Sequence, residues 1–207
     1  MNLPETDVEI KTVETESDNN SYEKNTAFFP VSEGKLITLY ILSFGLYGVY
    51  WFYKNWSLQQ GAMEKKIYPM WRAIFSIFFT HSLFNRIHQQ AAHLKNEHKF
   101  NANLWATIFV AAIVVSNILD RLSINTGLME NTTNTATSII SFALFFVSTY
   151  PLVKVQATVN RINNDILGYL NHKYSLWNYV LIVLGSVVWL LMAMGFLAES
   201  MGLVVAE

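Results

Sequence analysis

Four histidines, His81, His88, His93 and His98, lie in one stretch and raise the question of a metal site. Helical ligand pairs need i, i+4 spacing, which brings two side chains onto one face. These four are seven, five and five residues apart, so they read as solvated or interfacial side chains. Arg72, His81 and Asp120 are a different case, because each lies in or at the edge of an apolar run. An ionisable group there is expensive to bury and is a functional candidate for that reason. Ala112, Ser116 and Asp120 share one helical stripe, so Asp120 is expected either to pair with Arg72 or simply to mark the end of a span. A third constellation is made of amides. Gln156, Asn160 and Asn163 form one stripe, and Asn85 and Gln89 form a second. These are expected to hydrogen-bond to one another across a bundle, or to line a polar vestibule. The chain holds no Gly-rich phosphate loop, no G-x-S-x-G elbow, no close pair of acids and no cysteine. It reads as a non-enzyme with no cofactor and no metal.

The elements that must position these residues come from an internal echo. Phe84–Trp105 ("FNRIHQQAAHLKNEHKFNANLW") and Val159–Trp177 ("VNRINNDILGYLNHKYSLW") share an Asn-Arg-Ile step, a His-Lys-aromatic step and a closing Leu-Trp, in the same order. Each lies between apolar runs, which predicts two copies of one unit: apolar helix, polar helical extension, turn, apolar helix. His98-Lys99 and His172-Lys173 fall at matching positions, where headgroup contact or a polar cap on the next span explains both.

Hydrophobic residues make up 52% of the 207 and charged residues only 14%, against about a quarter charged in soluble domains. The apolar residues come in blocks, which points to bilayer spans. Residues 1–35 carry eight acids and three lysines, while the remainder carries seven acids against eleven Lys and Arg. An acidic tail therefore precedes a mildly basic membrane body, which argues against nucleic acid as a partner. No apolar h-region follows the start, so a cleavable signal peptide is not expected.

Residues 1–27 are predicted to be disordered, having too few large apolar side chains to offset ordering entropy. Ser32 is placed to cap a helix with Glu33 in its first turn. Leu36–Tyr53 is the first apolar run, and Gly45 and Gly48 within it permit either a close helix neighbour or merely looser packing. The segment Ile67–Ile87 has an apolar heart, Ala73–Phe84, that is short for about 30 Å of hydrocarbon. It is expected either to span with Arg72 snorkelling or to lie in the interface. Asn85–Lys99 is expected to continue as a polar helix. Leu104–Leu119, Ile139–Val153 and Leu176–Ala198 are predicted spans, with Pro151 kinking one of them and a polar loop at residues 122–137. Val155, Val159, Ile162 and Ile166 line an apolar face opposite the amides.

Several blocks together, "FFPVSEGK", "SFGLYGVYWFYKNW", "WRAIFSIFFTHSLFNRI" and "PLVKVQATVNRIN", resemble a group of uncharacterised bacterial inner-membrane proteins. That group shares a Phe-Pro-Val-Ser start, a Tyr-Trp-Phe-Tyr-Lys-Asn-Trp block and a Gln…Asn-x-x-Asn helix. The likeness covers most of residues 28–195, with Glu33 where the group usually has Pro. It implies fold and location, and no activity.

The expected architecture is an all-α, polytopic membrane protein with four or five transmembrane spans. Its parts are a tail (1–27), a leading transmembrane helix and loop (28–66), two parallel helical-hairpin repeats (67–121 and 137–207) and an external polar loop (122–136). Basic loops face the cytoplasm, which puts both repeat extensions inside, with the C-terminus outside and the N-terminal tail inside. The expected partners are the lipid bilayer and a second copy or another membrane protein. The expected role is structural or accessory, with transport of a small solute or lipid through Arg72, His81 and Asp120 as the alternative.

Overall fold

A computed structural model describes residues 26–94, 101–125 and 131–201. The described residues are helical, with no strand among them: α1 (Glu33–Leu42), α2 (Leu46–Gln59), α3 (Pro69–Ile74), α4 (Ser76–Ala91), α5 (Ala102–Asn125), α6 (Asn131–Ile162) and α7 (Leu176–Ser200). Three stretches are long and apolar enough to cross a membrane: Ala102–Arg121, Ala136–Ile162 and Leu176–Ala198. The disorder expected for residues 1–27 lies outside the described residues up to residue 25 and is corrected at Ala27, which hydrogen bonds to Gln59 and Asn163 hold in place.

The leading apolar run is not one helix. Ser32 caps α1 as its position predicts, its side chain accepting from the Lys35 N–H. Ten residues later α1 closes in a Schellman motif: the Phe44 N–H bonds Ile41 O and the Gly45 N–H bonds Tyr40 O. Phe44 and Gly45 both take left-handed φ values, 51° and 86°, and the chain turns back. Gly48 then packs on the Tyr40 ring, where an added Cβ would come within 2.9 Å. Of the two readings of these glycines, the close approach is the one realised. At 10 and 14 residues, α1 and α2 are about 15 and 21 Å long, so the single span expected over Leu36–Tyr53 is replaced by a short helical hairpin.

The ambiguous segment is also divided. A break at Phe75 separates α3 from α4, and α4 lies along α5 through Phe84 against Phe109 and His81 against Thr107. The polar helix expected over Asn85–Lys99 ends at Ala91, and residues 95–100 lie outside the described ones. At the far end the helices invade the expected loop, because α5 runs to Asn125 and α6 starts at Asn131. Pro151 lies inside α6 without ending it.

Long helices α5 and α6 are antiparallel, with Trp105 against Tyr150 near one end and Ser116 bonded to the Ser141 carbonyl further along. The elbows after α4 and after α6 therefore sit at the same end. The core is there too, built from Phe28, Phe29, Trp51, Phe52, Trp56, Phe84, Leu152 and Val155. α7 leaves this core and crosses α1, with Gly185 against the Leu42 carbonyl and Trp189 Nε1 donating to Ile41 O at 3.2 Å. A side chain at Gly185 would collide with that carbonyl, whereas Gly195 has open space around it. Gly185→Leu should lower stability in detergent by about 1–3 kcal/mol, the usual cost of overpacking. Gly195→Leu should leave the melting midpoint unchanged, and equal midpoints for the two variants would contradict the α1–α7 contact.

Candidate functional site

The chain before α1 runs as an irregular strap over residues 27–31, buried from Phe28 onward between α2, α6 and the second elbow. Irregular backbone in a helical core has neither a helix ladder nor a neighbouring strand to satisfy it, and an unpaired buried carbonyl is costly. Amide side chains supply the partners here. Gln59 Nε2 donates to Ala27 O (2.8 Å), Asn163 Nδ2 to Phe28 O (2.8 Å), Gln156 Nε2 to Phe29 O (3.2 Å), Asn171 Nδ2 to Pro30 O (3.0 Å) and Asn160 Nδ2 to Val31 O (3.0 Å). Five successive carbonyls each meet a different side chain. The amide oxygens return the favour to the strap's N–H groups: Phe29 N donates to Asn55 Oδ1 (3.1 Å) and Ala27 N to Asn163 Oδ1 (3.2 Å). Pro30 has no N–H to satisfy.

The amides also lock one another. Gln156 Nε2 gives its second hydrogen to Asn160 Oδ1 at 2.7 Å, while Gln156 Oε1 accepts from Trp51 Nε1 at 2.6 Å. Arg86 donates to Gln59 Oε1. Local folding aims these groups. Gln156 and Asn160 are one turn apart on α6, and α6 ends in a second Schellman motif (Asp165 N to Asn160 O, Asn164 N to Arg161 O) with Asn164 left-handed. The elbow then swings Asn171 back over the strap. Gly168 permits this, since a Cβ there would fall 2.6 Å from Ser32 Cα and its φ is +69°.

Lys35 closes the site. Its Nζ donates to Asn171 Oδ1 and to the Lys173 carbonyl, both at 2.6 Å. No carboxylate among the described residues faces it, and burial pushes the ammonium down to about 8.

Three of the residues singled out in the sequence, Gln156, Asn160 and Asn163, thus converge, but their partner is the strap. The expectation that they would bond to Asn85 and Gln89 is corrected: those two face elsewhere, half-buried and exposed respectively, and reach none of the three. Arg72 and Asp120 do not pair either. The Arg72 guanidinium stacks on Trp56 (4.4 Å) and Phe79 (5.0 Å), while Asp120 is exposed at the opposite end of α5 beside Ser138 and Ser141. His81 Nε2 lies 3.2 Å from Thr107 Oγ1. Sequence reasoning missed Asn55, Gln59, Asn171 and Lys35. Trp51, Asn55 and Gln59 recur at i, i+4, i+8 on α2, and that stripe was a readable signal for a polar seam.

The fold and site define an all-helical protein with three helices apolar and long enough to cross a membrane, closed at one end by a backbone-binding amide cluster. Compared with known proteins, the chain matches no family model, no curated protein and no solved structure.

Asn160→Ala strands both Val31 O and one Gln156 hydrogen in a buried place, so unfolding in detergent should become easier by about 1–3 kcal/mol. Gln89→Ala should stay within about 0.5 kcal/mol of wild type. Lys35 gives a pH signature. The unfolded lysine keeps its proton up to about 10.5, while the folded one releases it near 8. Between those values the unfolded state binds more protons, so stability rises with pH. Melting curves from pH 7.5 to 10 should show this rise in wild type and a flatter profile in Lys35→Met.

Proposed function

We propose that the chain is a multi-pass bacterial inner-membrane protein of structural or accessory type, with the strap and both elbows at the cytosolic face. The observation that carries this reading is the clamp on residues 27–31. Where a conduit would need a continuous polar path, the polar side chains at this end of the bundle are consumed in holding the protein's own backbone. The clamp fixes the chain just after the acidic segment, residues 1–25, at the end of the bundle where α4, α6 and the second elbow carry Arg86, Lys154, Arg161 and Lys173. In this reading the acidic segment and the elbow surface meet a partner, either a second copy or another membrane protein. The likeness of the "FFPV" and "YWFYKNW" blocks to inner-membrane proteins is consistent with the strap and α2 being the working parts.

Transport through Arg72, His81 and Asp120 has less behind it. Asp120 lines a groove, and neither Arg72 nor His81 lines that groove or the larger one beside it.

Purification of the whole chain in mild detergent tests the reading. The expected result is an assembly larger than one copy that shrinks when residues 1–25 are deleted. A monodisperse monomer with no companion protein overturns it. Sidedness is read separately with an impermeant thiol reagent on intact cells: Glu130→Cys should label and Asn20→Cys should not.

A further inference from the structure

The turn between α1 and α2 stops part-way along the long helices, and a groove of about 350 Å³ is left around it. Val49, Phe52, Ile77, Phe109, Ala112 and Ile113 make its walls apolar. The polar groups in it are largely spoken for: Tyr40 and Ser148 bond each other at 2.9 Å, and Asn117 donates back to Ile113 O at 2.8 Å. A second cleft of about 230 Å³ continues it toward the end of the bundle away from the elbows, with Phe44, Ser116 and Phe145 in both walls. Its walls are mostly apolar, with Phe44, Phe142 and Phe145, but they also hold the Asp120 carboxylate and the Ser116, Ser138 and Ser141 side chains.

Two observations point to a missing ligand there. Ser141 is 8% exposed and its Oγ has no hydrogen-bond partner, although a buried hydroxyl ordinarily finds one. Asp120 makes no ion pair among the described residues while standing at the edge of an apolar span. A carboxylate and an unsatisfied hydroxyl call for a cation that carries N–H donors. Position supplies the rest. Asp120 is 18 residues beyond Ala102, about 27 Å along the helix, which is close to the thickness of the hydrocarbon layer. Ala112 and the apolar groove lie near the middle of that distance.

We propose that the paired clefts bind one aminophospholipid of the leaflet opposite the elbows, its primary ammonium at Asp120 and Ser141 and an acyl chain in the groove beside the α1–α2 turn. A primary ammonium offers three hydrogens to these oxygens. A choline headgroup has the charge without the hydrogens, and a glycerol headgroup has neither the charge nor an N–H. The site stands on the groove alone, so a monomeric chain with no protein partner would leave it intact.

The test is lipid retention by the full-length protein, purified from nanodiscs holding equal phosphatidylethanolamine, phosphatidylcholine and phosphatidylglycerol, with bound lipid read by mass spectrometry. Wild type is expected to keep phosphatidylethanolamine about tenfold over either of the others, the ratio that one charge-assisted hydrogen bond supports. Asp120→Asn should erase that preference and Ser141→Ala should weaken it. Ala112→Trp should lower retention of all three lipids, because it fills the chain groove. Ser141→Ala and Asp120→Asn add no bulk, so the result does not hinge on whether the Trp variant folds. Equal retention of the three lipids by wild type, or an unchanged preference in Asp120→Asn, overturns the proposal. Displacement of the lipid by millimolar free ethanolamine also overturns it, since the clefts would then be a soluble-amine site without need of the acyl chain.

Discussion

An irregular, non-helical segment buried among helices has to find its hydrogen bonds one at a time, and that requirement shapes the elbow end of this protein. Residues 27–31 have no neighbouring strand to pair with among the described residues. Carboxylates cannot donate to a carbonyl, and a cluster of lysines would be too costly to desolvate. Primary amides are the neutral choice, each with two donors and an acceptor. That is why the seam is built from Asn and Gln on α2, on α6 and on the second elbow, and why Asn163 serves the strap as donor and acceptor at once. Because the amides come from three parts of the chain, satisfying the strap also pins α2, α6 and the elbow to one another.

The geometry of the leading hairpin follows from local sterics. Phe44 enters the left-handed region to close α1, Gly45 continues the reversal, and Gly48 gives Tyr40 room to lie across α2. Exposed polar backbone at a turn of this kind is tolerated at membrane depth only where protein covers it. Here the Ser43 hydroxyl accepts from the Tyr47 N–H, and Phe44 stacks on Trp189 of α7. The hairpin is therefore completed by a helix that arrives more than 130 residues later. Its short reach is also what opens the apolar groove beside α5 and α6, so fold and vacancy have one origin.

The two arginines near the leading helices show how side-chain partners depend on the bundle. Arg72 stacks on aromatic faces and Arg86 serves the amide network through Gln59. Neither needs a carboxylate, and few acids lie within reach in the body of the protein. Stacking and amide contact keep guanidinium groups at an apolar surface with modest loss of hydration.

By itself the sequence determined whatever depends on local sums: three long apolar helices, the Ser32 cap and the break from acidic tail to apolar body. It also marked Gln156, Asn160 and Asn163 as unusual, because an amide stripe beside an apolar one is visible at helical spacing. Only the tertiary structure decided what those amides hold, that Leu36–Tyr53 folds back on itself, and that Arg72 and Asp120 lie apart. Those outcomes rest on contacts between residues such as Gln156 and Phe29, 127 positions apart. Hydropathy and helix spacing act within a few turns of chain, whereas the partner of a polar group is set by which surfaces close packing brings together.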